Sequence, residues 1–236
     1  MTTSEIKTGP SADRLRRSDP FLSGTGRAKL PLWLKLVYTA FMAVLVPVYW
    51  HYYGPTNFLY FCDVALFLTF AGIWIESPLL LSMCAVGITA SQTLWVVDFV
   101  GNFFGVSIIG MTDYMFKHKN SLFLRALSLF HGWLPFLLLY LVWKLGYDRR
   151  GFMAWTVLAW ALILTCFFFM PPPHPNPGLT PVNINYVWGP SDNAAQGFVH
   201  PYVWLAGLIV GMPLLLFAPV HLLLMRFAPK PGAGIA

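Results

Sequence analysis

Charged side chains are scarce in this sequence. Asp, Glu, Lys and Arg make up 10% of its 236 residues, against about 25% in a typical soluble domain. An ordinary water-soluble globule is thereby excluded. Cysteine is rarer still: Cys62, Cys84 and Cys166 are scattered through apolar runs, an odd set that excludes a disulfide framework and a cysteine-rich metal site. The six histidines include no pair spaced to share one helix face as ligands, so no metal and no cofactor is expected. No glycine-rich phosphate loop occurs. The alternating segments of about ten residues that mark a membrane β-barrel are missing too.

What remains is apolar. Hydrophobic residues make up 57% of the chain and its mean hydropathy is +0.63. Several apolar runs approach or exceed the ~18–20 residues that cross a bilayer. The expected fold is therefore all-α, a polytopic transmembrane helical bundle of about six spans. These fall near 33–50, 57–75, 79–97, 122–143, 152–170 and 202–225. Pro47 should kink the first span, with Trp50, Tyr52 and Tyr53 as interfacial aromatics. Gly54-Pro55 reads as a turn, and Glu76-Ser77-Pro78 as a break and restart. The stretch 99–115, punctuated by Gly101, Gly105 and Gly110, is read as a re-entrant or interfacial segment. Residues 1–30 are expected to be a disordered basic cytoplasmic tail, 31–226 the transmembrane domain with an outer loop at 171–201, and 227–236 a short cytoplasmic tail. A cleaved signal peptide is not expected.

The net charge of +6 has a location. Seven of the fifteen basic residues (Lys7, Arg14, Arg16, Arg17, Arg27, Lys29 and Lys35) precede or open the first apolar run. Such a flank reports membrane orientation; without interleaved aromatics it does not suggest a nucleic-acid partner. Six spans put both termini on the cytoplasmic side of the cell membrane, together with Lys144, Arg149, Arg150, Arg226 and Lys230. The 171–201 loop, which holds no Lys or Arg, lies outside. Lys117, Lys119 and Arg125 fall on the wrong side. Membrane lipids are the expected partners.

This topology collects polar residues at the outer face. Cys62 and Asp63 sit near the start of span two, where an ionisable group within the membrane suggests a functional site. Asp98 closes span three, and His131 lies about nine residues into span four. His51, Asn57, Asn183, Asn185 and Tyr186 could line a substrate pocket beneath the outer loop, whose stiff 171–181 stretch suits it to act as a lid. Plainer readings stand beside these. Cys62 is a small apolar core residue, Asp63 a structural partner of a Tyr, Asn or turn, His131 a helix–helix hydrogen bond. Glu76 reads as a solvated cap, and His221 as packing. Adjacent residues do not share a helix face, so Cys62 and Asp63 cannot address His131 equally. Either Cys62 faces His131 while Asp63 finds another partner, or Asp63 faces His131 or Arg125.

Several of these residues carry a resemblance. Cys62-Asp63 leading into an apolar helix, Val96-Val97-Asp98, Phe130-His131-Gly132-Trp133 and the late Asn183-Ile184-Asn185-Tyr186 resemble YwaF-type integral membrane proteins. These are relatives of a eukaryotic transmembrane acyltransferase of ether-lipid remodelling. The likeness covers roughly residues 57–225; the 99–120 and 171–181 stretches find no counterpart. It implies a helical bundle in which Cys62 accepts an acyl group and His131 acts as base. A thiolate is a strong nucleophile, and Asp63 or Asp98 could orient the imidazole. The leading expectation is a lipid acyltransferase or hydrolase with an outer-leaflet pocket. The alternative is a non-enzymatic transporter or lipid- or cofactor-binding subunit, in which Asp63, Asp98 and Asp113 pair or relay protons. The lack of a convincing repeat between the halves weighs slightly against a transporter.

Overall fold

A computed structural model of the chain describes residues 30–116 and 121–232. Most of the expected N-terminal tail, together with Lys117, Lys119 and the last four residues, lies outside the described residues. An apolar segment that cannot hydrogen-bond to water satisfies its backbone internally, as a helix does. Every regular element among the described residues is helical. In order they are α1 (Leu32–Tyr53), a 3-10 turn (Pro55–Leu59), α2 (Phe61–Trp74), α3 (Pro78–Phe103), α4 (Asp113–Phe116) and α5 (Leu122–Ser128). There follow α6 (Phe130–Leu145), α7 (Arg150–Phe169), a second 3-10 turn (Ile184–Tyr186), α8 (Pro201–Met212), a π segment (Pro213–Phe217) and α9 (Ala218–Phe227).

Five helical stretches are long and apolar enough to cross a membrane: α1, α3, α5 with α6, α7, and α8 through α9. By length and composition these helices are those of a multi-pass membrane protein. The second expected span differs. Gly54, at φ 81°, and Pro55 redirect the chain into a 3-10 turn, so α2 holds only 14 residues, about 21 Å against a hydrocarbon core of ~30 Å. The third helix is longer than expected. Nothing after Val97 breaks its hydrogen-bond ladder until Phe103, so Asp98 sits inside α3 rather than closing it. The 99–115 stretch accordingly divides into the last turn of α3, a loop that folds back, and the single turn of α4.

Proline shapes the last pass. Pro213 has no N–H for the carbonyl of Ile209, four residues earlier. That oxygen accepts instead from Trp160 Nε1 of α7 at 2.8 Å, and the helix widens into its π segment just beyond.

The bundle is assembled on α3. Leu81, Cys84, Ala85, Val86 and Ile88 of α3 are fully buried, facing Phe130, Leu134, Leu138 and Leu141 of α6 and Trp155 of α7. Glycine sets the closest approach: a Cβ on Gly87 would lie 1.8 Å from Cε2 of Trp155. One end of the bundle is fastened at several points. There Glu76 Oε1 accepts from Lys35 Nζ at 2.7 Å and Leu30 N at 3.2 Å, so Glu76 is an ion-pair partner rather than a solvated cap. At this end, too, Asp148 N donates to Ser82 Oγ at 2.9 Å and Tyr147 N to Pro229 O at 2.7 Å. The first and last described segments therefore share an end. Six of the seven described basic residues (Lys35, Lys144, Arg149, Arg150, Arg226 and Lys230) lie there, and Arg125 lies at the other.

Candidate functional site

Helix α2 begins without help from its own neighbourhood. Its N-cap, Tyr60, offers no side-chain hydrogen bond, although the first N–H groups of a helix need acceptors. Asn185 supplies one from across the chain. Its Oδ1 accepts from Phe61 N at 3.1 Å, and its Nδ2 donates to Leu59 O at 2.9 Å and Cys166 Sγ at 3.5 Å. To reach this position the backbone turns left-handed at Asn183, Asn185 and Tyr186, with φ of 50°, 58° and 58°. Asn tolerates that region; three such residues within four mark strain held by surrounding structure. Asn183 provides part of the support, donating to Gly189 O at 2.9 Å and accepting from Trp188 N at 2.8 Å. Trp188 stacks on Phe167 at 4.3 Å. The loop expected to be a lid is thus seated on the start of α2. The Tyr186 ring stays exposed, and its carbonyl accepts from Trp204 Nε1 at 3.0 Å.

Beneath this loop lies Asp63, in the first turn of α2 and only 3% exposed. A carboxylate there complements the helix dipole. Its Oδ2 accepts from Asn57 Nδ2 at 3.1 Å and from the Cys62 thiol at 3.9 Å. Its Oδ1 is buried and accepts no hydrogen bond. On α1, the rings of Tyr49 and Tyr53 meet edge to face at 5.1 Å. The Tyr49 hydroxyl pairs with Ser128 Oγ at 3.0 Å, and Tyr114 joins beside Ser128 and Cys62. Nothing local in the sequence assigns Tyr49, Ser128 and Tyr114 to this site, and Tyr53 reads there as an interfacial aromatic. The signals available were a lone Ser in an apolar run and a Tyr pair four residues apart.

His131, the second residue of α6, rests against Trp95 at 5.2 Å and Phe130 at 4.1 Å between ring centres. Its Nδ1 is buried without a hydrogen-bond partner, as is Oε1 of Gln92, one turn before Trp95 on α3. No hydrogen bond joins Cys62 to His131; the thiol's partner is Asp63. Asp63 in turn pairs with Asn57, while Arg125 Nη1 donates to Met115 O at 3.0 Å.

Asp98 acts locally. Its Oδ1 accepts from the backbone N–H groups of Ile108, Ile109 and Gly110 at 3.1, 2.6 and 3.1 Å. Its Oδ2 accepts from Thr112 N and Thr112 Oγ1, both at 2.8 Å. The carboxylate clamps the returning loop to the end of α3. His51 is exposed, with its ring against Tyr52 at 4.9 Å. Among the described residues no group of three His, Cys, Asp or Glu side chains is placed to hold a metal ion.

Compared with known proteins, the chain matches no family model, no curated protein and no solved structure.

Proposed function

We propose that this is a cell-membrane protein of six passes, with α2 as a short sixth, that binds an amine-bearing lipid headgroup at Asp63 without covalent chemistry. One observation carries the reading: Oδ1 of Asp63 is buried at the heart of the polar cluster and accepts no hydrogen bond. A buried carboxylate oxygen calls for a proton donor, and an ionisable group within a membrane protein's apolar bundle marks a functional site by default. A primary ammonium supplies both the donors and the opposite charge. The basic residues gathered at the opposite end favour that end as cytoplasmic, which puts the cluster on the outer-leaflet side.

Acyl transfer is the second reading, favoured by the Cys62 thiol touching the same carboxylate. It requires His131 to come within hydrogen-bond reach of the sulfur.

The test is a titration of the full chain, in uncharged detergent, with short-chain phosphatidylethanolamine and phosphatidylcholine. The ethanolamine lipid should bind about tenfold or more tightly, the scale of one charged hydrogen bond. Asp63→Asn should abolish the preference and Cys62→Ala should leave it. Equal affinity for the two lipids, or a preference that survives Asp63→Asn, overturns the reading. Transfer of a radiolabelled acyl chain to the protein, lost in Cys62→Ala, would establish the second.

A further inference from the structure

The end of the bundle remote from Asp63 holds a feature that headgroup binding there does not use. An open cavity of about 540 Å³ is lined by Tyr147, Asp148, Arg149, Arg150, Lys230 and Pro231. Its walls are fixed. Gly146 ends α6 at φ 92°, and a Cβ there would lie 2.5 Å from the backbone of Lys230 and Pro231, so the absence of a side chain is what lets the last segment cross the turn. Tyr147 N then ties the strap down through Pro229 O at 2.7 Å, and the Tyr147 hydroxyl meets Nδ1 of His221 on α9. Asp148 N fastens the other wall to Ser82 Oγ of α3 at 2.9 Å.

The charge in this cavity is unbalanced. Three cations line it against a single carboxylate, and that carboxylate already holds Arg150. Asp148 Oδ2 accepts from Arg150 Nη2 at 2.7 Å, and Oδ1 from Arg150 Nε at 3.1 Å and Arg150 N at 3.0 Å. Arg149 and Lys230 have no ion-pair partner among the described residues. Unpaired cations at a helix end are ordinarily just solvated. Here they flank an open depression whose walls are tied in place, between the end of α6 and the start of α7.

We propose that this cavity binds a phosphate monoester, as the headgroup of an anionic lipid of that leaflet or as a free phosphate of the same chemistry. Arg149 offers a planar fork of donors and Lys230 a point charge, the pair of contacts that phosphate oxygens accept best. Basic pockets at the cytoplasmic ends of transmembrane helices take lipid headgroups in this way.

The test titrates the full chain in uncharged detergent with short-chain phosphatidic acid, short-chain phosphatidylcholine and inorganic phosphate. Phosphatidic acid should bind one to one and phosphatidylcholine far more weakly. Arg149→Gln and Lys230→Gln, both on exposed side chains, should each weaken binding about fivefold and together about thirtyfold. Asp148→Asn, which releases Arg150, should strengthen it. Inorganic phosphate binding as tightly as phosphatidic acid would assign the site to the free anion; much weaker binding would assign it to the lipid. Undiminished binding in the double variant, or equal binding of the two lipids, overturns the proposal. Asp63→Asn should leave all of these values unchanged, which separates this cavity from the outer cluster.

Discussion

Asn185 does at long range what an N-cap residue does locally. It satisfies an orphan N–H of α2 from 124 positions along the chain, and in doing so seats the 171–201 loop above Asp63. Removing it should act on both. Asn185→Ala leaves Phe61 N and Leu59 O without their partner, which costs about 1–3 kcal/mol where the groups stay buried. The thermal midpoint in detergent should fall, and alkylation of half-buried Cys62 should accelerate as the loop lifts. A Cys62 reaction rate equal to the wild type would show that the loop is not a cover. The residues of this site were unevenly legible in the sequence. Asn57, Asp63 and Asn185 stood out because each is a polar group beside or within an apolar run. Their partnership did not, because nothing local in Asn183-Ile184-Asn185 states which helix start it will reach. Tyr49 and Ser128 do not stand out for a similar reason: each has an ordinary local reading, and only the meeting of α1 with α5 makes them a pair.

At the scale of elements, the apolar runs announced the helices but not where they end. Asp98 looked like a terminus because a carboxylate usually leaves an apolar helix. Here the five hydrogen bonds from the returning loop satisfy it within α3. The short α2 has the opposite cause: Pro55 and the 3-10 turn use up residues that composition assigned to a span. Interhelical approach was not readable at all, since a glycine in an apolar run looks the same whether or not a ring covers it. Gly87 is the strongest case. Gly87→Ala puts a methyl into the rigid indole of Trp155, and overpacking of that kind typically costs about 1–3 kcal/mol. A drop in thermal midpoint with a shift in tryptophan fluorescence is expected. An unchanged midpoint would contradict the packing of α3 on α7.

For the whole molecule, the distribution of charge and the placement of the polar cluster tell one story. Basic residues gather where the chain's first and last described segments meet, and the lysine- and arginine-free loop covers the far end. The 171–201 loop should therefore face outward. In a chain with Cys62 replaced by Ser, a membrane-impermeant maleimide added to intact cells should label Gly178→Cys and miss Lys230→Cys; the reverse pattern would invert the orientation. Among the described residues, the same arrangement puts Asp63, with a buried carboxylate oxygen that accepts no hydrogen bond, beneath the cover and beside the thiol. The most direct measurement is an experimental map of the protein in phosphatidylethanolamine nanodiscs, beside that of Asp63→Asn. Headgroup density within hydrogen-bond distance of Oδ1, about 3 Å, in the first and its loss in the second is the predicted result. An Oδ1 occupied by a single water or a protein donor, alike in phosphatidylethanolamine and phosphatidylcholine, would contradict it.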